Sequence, residues 1–215
     1  MIGVKFGNIH SYNDLGMKML AESTIGNPEP YINELEIPGK DGVIDYSESL
    51  TGNITYKQRE ISLMFTLAGS DETDYLKKYD KVKNSLHGKR IKIIPDFDKE
   101  FEYDARITIE EEKVSDMFAV LTVAGPAFPY KRKTSDTVVT KTLSSSEAVI
   151  TCNNLREPVI PKFETTASAK IKFDNHEFSV GAGSHVLDLV FTEGENMVKA
   201  SGTGTLKIIY REGGM

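Results

Sequence analysis

The sequence predicts a mainly β protein of two domains, with one α-helix in the first. Three observations carry this reading. Residues 59–67 alternate between apolar and polar, residues 71–87 carry one apolar stripe at helical spacing, and a Pro/Gly-rich then basic stretch at 125–133 precedes a run of short strands and turns. A period of two is the signature of a half-buried strand and a period near 3.6 that of a helix packed on one side.

In chain order, Val4-Lys5-Phe6, Gly7-Asn8 and Ile9-His10-Ser11 read as a tight hairpin, because Gly and Asn tolerate the backbone such a turn needs. Met17, Met19 and Ala21 alternate with Lys18, Leu20 and Glu22, which predicts a strand. Tyr31 to Ile37 reads as another, ended by Pro38-Gly39-Lys40-Asp41-Gly42, where a proline and two glycines interrupt pairing. In Arg59 to Leu67 the residues Ile61, Leu63, Phe65 and Leu67 share one face. The helix spans about 71–87: Tyr75, Tyr79, Val82 and Leu86 form its stripe, Ser70 or Asp71 caps its start, and Gly88 closes it. Glu72 and Asp74 suit the positive end of its dipole, and His87 is placed to face the negative end. Lys77, Lys78, Lys81 and Lys83 read as a solvated face.

Strands follow at Arg90 to Ile94, Phe101 to Ile109 and Val114 to Ala124, with Asp96-Phe97-Asp98-Lys99 as one turn and Glu110-Glu111-Glu112 as another. Gly125-Pro126-Ala127-Phe128-Pro129-Tyr130 and the basic Lys131-Arg132-Lys133 mark the boundary between domains at 1–130 and 131–215. The second domain reads as short strands at Val138 to Leu143, Glu147 to Cys152, Val159 to Thr165, Ala169 to Phe173, His185 to Thr192 and Gly204 to Arg211. Turns at Asp174-Asn175, Gly181-Ala182-Gly183, Glu193-Gly194-Glu195-Asn196 and Ser201-Gly202 separate them, and near-even spacing with turn-rich gaps predicts a β-sandwich.

Composition narrows the functional classes. A chain of 215 residues with 39% hydrophobic and 27% charged residues can build packed cores. A net charge of −6 offers no basic footprint for gripping nucleic acid, though a passage that DNA only traverses benefits from not being basic. No apolar run reaches the length of a membrane span, and the opening Met1–Phe6 lacks the order of a secretory signal, so cytoplasmic synthesis is expected. A single cysteine, Cys152, excludes an internal disulfide and sits in an apolar strand as a small hydrophobe.

Catalytic and metal constellations do not assemble in the sequence. His10, His87, His176 and His185 are scattered, without the close His or Cys spacing of a zinc site. Asp96, Asp98 and Glu100 open like a calcium loop, yet Phe101 stands where glycine is required. Gly202-Thr203-Gly204 lacks the third glycine and following helix of a dinucleotide loop and reads as a turn. Asn53-Ile54-Thr55 matches an N-glycosylation pattern, which has no meaning without export. No enzyme, metal or cofactor is expected.

The ordered set of motifs does resemble a known family. Lys5-Phe6-Gly7-Asn8-Ile9-His10-Ser11-Tyr12-Asn13-Asp14-Leu15-Gly16, then Ile37-Pro38-Gly39-Lys40-Asp41-Gly42-Val43-Ile44-Asp45-Tyr46, then Tyr56-Lys57-Gln58-Arg59-Glu60-Ile61, is similar to the first domain of the distal tail proteins of long, non-contractile (siphovirus-type) phage and prophage tails. Pro158-Val159-Ile160-Pro161, Gly181-Ala182-Gly183, Gly194-Glu195-Asn196 and Tyr210-Arg211-Glu212-Gly213 are similar to the second. The resemblance implies a β-sandwich-like ring domain followed by a galectin-like β-sandwich. It also implies a hexameric ring at the virion tail tip, with DNA passing through its hole. The expected partners are copies of the chain, the tail tube protein, the tail-associated tip protein and, in some phages, the receptor-binding protein. Larger members insert arms or sugar-binding modules in the second domain; residues 131–215 leave no room for them, which points to a minimal hub.

Pro38, Gly39, Asp41, Gly42 and Asp45 have two readings: an ordinary turn, or, on the resemblance, a shaped loop near the ring interface. A second function class stays open beside the hub, a carbohydrate-binding module acting in host cell-wall recognition. Against it, tryptophan is absent, and Phe163, Phe173, Phe178 and Phe191 fall at alternating core positions, not where a sugar would stack.

Overall fold

The computed structural model describes residues 3–49 and 52–215; Met1 and Ile2 of the opening segment lie outside them. It is mainly β, with one α-helix among the described residues, and folds into two compact units, Met1–Pro129 and Tyr130–Met215.

In the first unit, β1 (Val4–Phe6) turns tightly into β2 (Ile9–His10), with Phe6 opposite Ile9 and Gly7 at a φ of 60°. That positive φ at the first turn position is what a two-residue hairpin turn requires. β3 (Lys18–Met19) is shorter than the alternation of residues 17–22 predicts: Met17 is buried, Lys18 and Met19 pair with β7, and after one further bond from the Leu20 N–H to the Met64 carbonyl at 2.8 Å the chain turns away. β4 (Thr24–Ile25) joins the same neighbour, β7 (Arg59–Ala68), while β5 (Glu34–Glu36) and β6 (Val43–Asp45) form a separate two-stranded hairpin. β7 buries Ile61, Leu63, Phe65 and Leu67, as its alternation predicts.

Helix α1 (Glu72–Leu86) follows its sequence signals closely. The Asp71 side chain accepts from the Asp74 N–H at 2.9 Å, and Gly88 closes the helix at a φ of 75°. Tyr75, Val82 and Leu86 are fully buried and Tyr79 packs beside them. Burial of Val82 and Leu86 contributes roughly 1.5–3 kcal/mol each, which outweighs the intrinsic propensity of a short helix. His87 does not serve the helix dipole as its position suggested. Its Nδ1 instead accepts the Ile109 N–H at 3.1 Å, because strand pairing brings that donor to it.

β8 (Arg90–Pro95), β9 (Phe101–Arg106), β10 (Thr108–Ser115) and β11 (Phe118–Ala127) complete the first unit. The sheet order is β2-β1-β8-β9-β11-β7-β3, with β10 also on β11 and β4 also on β7. β9 and β10 lie along β11 in one continuous register, Ala105 beside Ala127 and Thr108 beside Ala124. The chain bends between them, where Gly125 lies so close that a Cβ on it would meet the Arg106 carbonyl at 2.1 Å. Glu110-Glu111-Glu112, expected as a turn, lies inside β10 with exposed side chains, and the reversal comes at Asp116 and Met117. Three acids on an outer strand deter pairing with other sheets, so charge here marks an edge and not a turn.

The second unit is a sandwich. β12 (Lys131–Lys133) leads to β13 (Thr137–Thr142), β14 (Ala148–Asn154), β15 (Lys162–Thr165), β16 (Ala169–Phe173), β17 (His176–Val180), β18 (Gly183–Val186), β19 (Gly194–Gly202), β20 (Thr205–Tyr210) and β21 (Gly213–Gly214). Two four-stranded sheets, β13-β20-β15-β18 and β14-β19-β16-β17, share a core around Phe163, Phe191, Ile171, Val198 and Ile208. The strand expected at 185–192 is absent as such: β18 ends at Val186, and the long strand is β19. Glu195-Asn196 resembles a turn in sequence, but Asn196 is buried and accepts the Thr192 N–H through Oδ1 at 2.9 Å, which lets the strand carry a polar residue inward near its start. The basic cluster at 131–133 is structural: Arg132 pairs with Glu157, and Lys133 Nζ lies 2.6 Å from Glu212 Oε1. Among the described residues no helix is long and apolar enough to cross a membrane.

Candidate functional site

The feature of the first unit that sets it apart is the segment between β4 and β7. It leaves the sheet as a continuous antiparallel pair: the Gly26 N–H donates to the Glu60 carbonyl at 2.8 Å, Lys57 N–H to Glu29 at 2.7 Å, and Tyr31 N–H to Thr55 at 2.8 Å. Beyond this stem, Glu34 lies opposite Asp45, Leu35 opposite Ile44 and Glu36 opposite Val43. No residue from 31 to 46 is buried.

The predicted site residues all fall at the tip and flank of this arm. Pro38, Gly39, Asp41 and Gly42 form the connection between β5 and β6, held by a Lys40 N–H to Ile37 carbonyl bond of 3.0 Å. Gly39 and Gly42 have φ values of 84° and 77°, so the turn depends on both glycines. Asp45 closes β6 by accepting from the Ser47 N–H at 2.9 Å and the Ser47 hydroxyl at 2.6 Å, and those bonds hold its carboxyl below the usual range. The Ser47 hydroxyl in turn accepts the Asn33 N–H at 2.7 Å.

Strand alternation sorts the arm into two faces. Leu35 and Ile44 are cross-strand neighbours, and Ile37 and Tyr46 lie two residues further along, so all four share one side. Glu34, Glu36 and Asp45 lie on the other, with Val43. Seven large apolar side chains of the arm (Tyr31, Ile32, Leu35, Ile37, Val43, Ile44 and Tyr46) are between 38% and 60% exposed. An isolated two-stranded hairpin is marginal in water, and a contiguous exposed apolar surface marks an interaction site. Sequence reading found the turn; the alternation of Tyr31 to Ile37 pointed to a half-buried strand, and nothing in the sequence said that its apolar side stays bare.

The chemistry-bearing residues of other regions do not converge on this arm. His10 Nε2 lies 3.1 Å from Asp96 Oδ2, which also accepts the Gly3 N–H at 2.9 Å, so that carboxylate ties the first hairpin to the end of β8. Cys152 is fully buried, and burial pushes its thiol up to about 11. The second unit has a surface cavity of about 470 Å³ on the β14-β19-β16-β17 sheet, lined by Lys172, Asp174, Thr192, Glu195, Asn196 and Lys199 among others.

These features describe a mainly β protein, of two sandwich-like units, that presents an uncovered amphipathic arm. No family model matches the sequence, and no curated protein matches it. Among solved structures, the fold is similar to the crystal structure of Dit (gp 19.1) of phage SPP1, described as a paradigm of the hub adsorption apparatus in phages that infect Gram-positive bacteria. The two align with a TM-score of 0.72 over 99% of each chain, at 14% sequence identity, a likeness of fold across the whole length.

Proposed function

We propose that this chain is the structural hub of a phage tail tip. Six copies form a ring that joins the tail tube to the tip and host-adsorption proteins, and DNA passes through its opening. Its place is the virion tail tip, after synthesis in the host cytoplasm. The observation that carries the reading is the arm of residues 28–49, whose Leu35, Ile37, Ile44 and Tyr46 have no covering surface among the described residues, on a fold similar over 99% of its length to that of a phage hub protein. Pro38, Gly39, Asp41, Gly42 and Asp45 shape and brace that arm, so their role is to present its apolar side at the ring interface. The reading is not catalytic.

Sedimentation and negative-stain microscopy of the purified chain test it. The expected species is a six-fold ring whose formation is abolished by Leu35→Asp with Ile44→Asp, while the melting temperature stays unchanged because both side chains are exposed. A particle that remains monomeric at the highest attainable concentration would refute the ring.

A second reading, saccharide binding by the second unit, is favoured by the polar cavity beside β16 and β19. Its lining offers hydrogen-bonding groups, but its one aromatic, Phe173, is 9% exposed and belongs to the core. Titration with host-wall saccharides separates the readings: saturable binding that Asp174→Ala and Lys199→Ala remove supports a lectin role.

A further inference from the structure

The tip of the arm holds the one place in the chain where an aspartate is followed by glycine, and no asparagine is followed by glycine anywhere. Asp41 and Gly42 are both exposed, in the connection between β5 and β6 and outside either strand. Among the described residues no hydrogen bond or ion pair engages the Asp41 carboxylate or the Gly42 N–H. Asp45 is the contrast: its carboxyl is tied to the Ser47 N–H and hydroxyl, and the bulky Tyr46 follows it. Gly42 has no Cβ, and one built on it would meet nothing within 4 Å, so its nitrogen is open to approach from the preceding side chain.

We propose that Asp41 and Gly42 form a self-modification site, at which the turn closes to a cyclic imide and reopens as isoaspartate or aspartate. The Gly42 nitrogen, losing its proton to solvent, attacks Cγ of the Asp41 carboxyl group. A C–N bond forms, a carboxyl C–O bond breaks, and one water leaves. Water then adds to either carbonyl of the imide. When the bond between the Asp41 main-chain carbonyl carbon and the Gly42 nitrogen breaks, the chain continues through Cβ and Cγ, and the former main-chain carbonyl becomes a free carboxylate. The sum is an isomerisation: one water is lost and one regained, nothing is oxidised or reduced, and water is the only co-reactant.

The isoaspartate product carries one more main-chain atom in a turn whose two glycines hold φ values of 84° and 77°. Glu36 lies opposite Val43 beside that turn, so the added atom disturbs the β5–β6 register and with it the pairing of Leu35 with Ile44. Register decides which face each side chain takes, and a lone two-stranded hairpin has little else to hold it. On the hub reading, chains that wait unassembled thereby lose the arm by which they join, whereas a tip covered in the ring is held still and spared. The imide chemistry itself does not rest on that reading.

The test incubates the wild-type, Asp41→Glu and Asp41→Asn chains for weeks at neutral pH in water labelled with heavy oxygen, natively and in denaturant. Native wild type should take up labelled oxygen at residue 41, with isoaspartate located there by electron-transfer fragmentation. Asp41→Asn should pass through the same imide faster, because ammonia leaves in place of water. Asp41→Glu, whose longer side chain would have to close a six-membered ring, should lose the labelling. Aged wild type should then assemble less than its own fresh sample, and aged Asp41→Glu should match its own. Absence of label and isoaspartate at residue 41 in the native chain, or their appearance only in denaturant, overturns the proposal. Isoaspartate in a chain that assembles as well as when fresh overturns its effect on the arm. A fresh chain that never assembles refutes the hub reading, while label and isoaspartate at residue 41 still establish the modification.

Discussion

The Arg59 guanidinium donates from Nε to the carbonyl of Pro129 at 2.8 Å and lies over the Tyr103 ring, 5.2 Å from its centre. Arg59 is 2% exposed, so a cation at the start of β7 is buried against the last residue of the first unit. That contact ties together two positions 70 residues apart in the chain and explains why a charged residue stands where the strand meets the core.

Replacing Arg59 with Leu keeps bulk but leaves the Pro129 carbonyl without its donor. The expected loss is about 1.5–3 kcal/mol, the range for a hydrogen bond to a charged group. Urea unfolding read by tyrosine fluorescence measures it, and a loss below about 0.5 kcal/mol would show the contact to be idle.

Gly125→Ala tests the bend between β9 and β10. The added Cβ would meet the Arg106 carbonyl at 2.1 Å, where backbone and not a flexible side chain must move. Destabilisation of about 2 kcal/mol or more is expected, as for other changes that force backbone apart. A melting temperature equal to wild type would contradict this geometry.

The arm should loosen in acid through Asp45. Its bonds from Ser47 lower its carboxyl in the folded state, so they support the arm above the ordinary carboxylate value of about 4 and are lost as pH falls through the lower folded value. Ser47 amide exchange followed by NMR from neutral pH downward should lose protection only at the acid end. Asp45→Asn should remove that step, and a protection profile flat with pH would reject it.

Cys152 should resist alkylation. Burial raises its thiol to about 11, leaving little thiolate near pH 8. Reaction with a chromogenic disulfide is expected to be slow in the native protein and fast in denaturant. Rapid native labelling would show that the β14–β19 pair opens far more readily than its core position implies.

Legibility in the sequence followed the range of the interaction responsible. β7 and α1 were readable because periodicity, the Asp71 cap and Gly88 act within a few residues. β10 and β19 were misread because Glu110–Glu112 and Glu195-Asn196 carry turn-like chemistry. The next strand of the same hairpin, Ala124 to Phe118, holds β10 in the sheet, and a distant one, Asn154 to Ala148, holds β19. The site divides in the same way. The sequence by itself determined the glycine turn at 39 and 42 and the alternation that makes the arm two-faced, since both are local. Tertiary structure alone decided that Leu35, Ile37, Ile44 and Tyr46 stay exposed, because whether an apolar face is covered depends on which surfaces long-range packing brings to it.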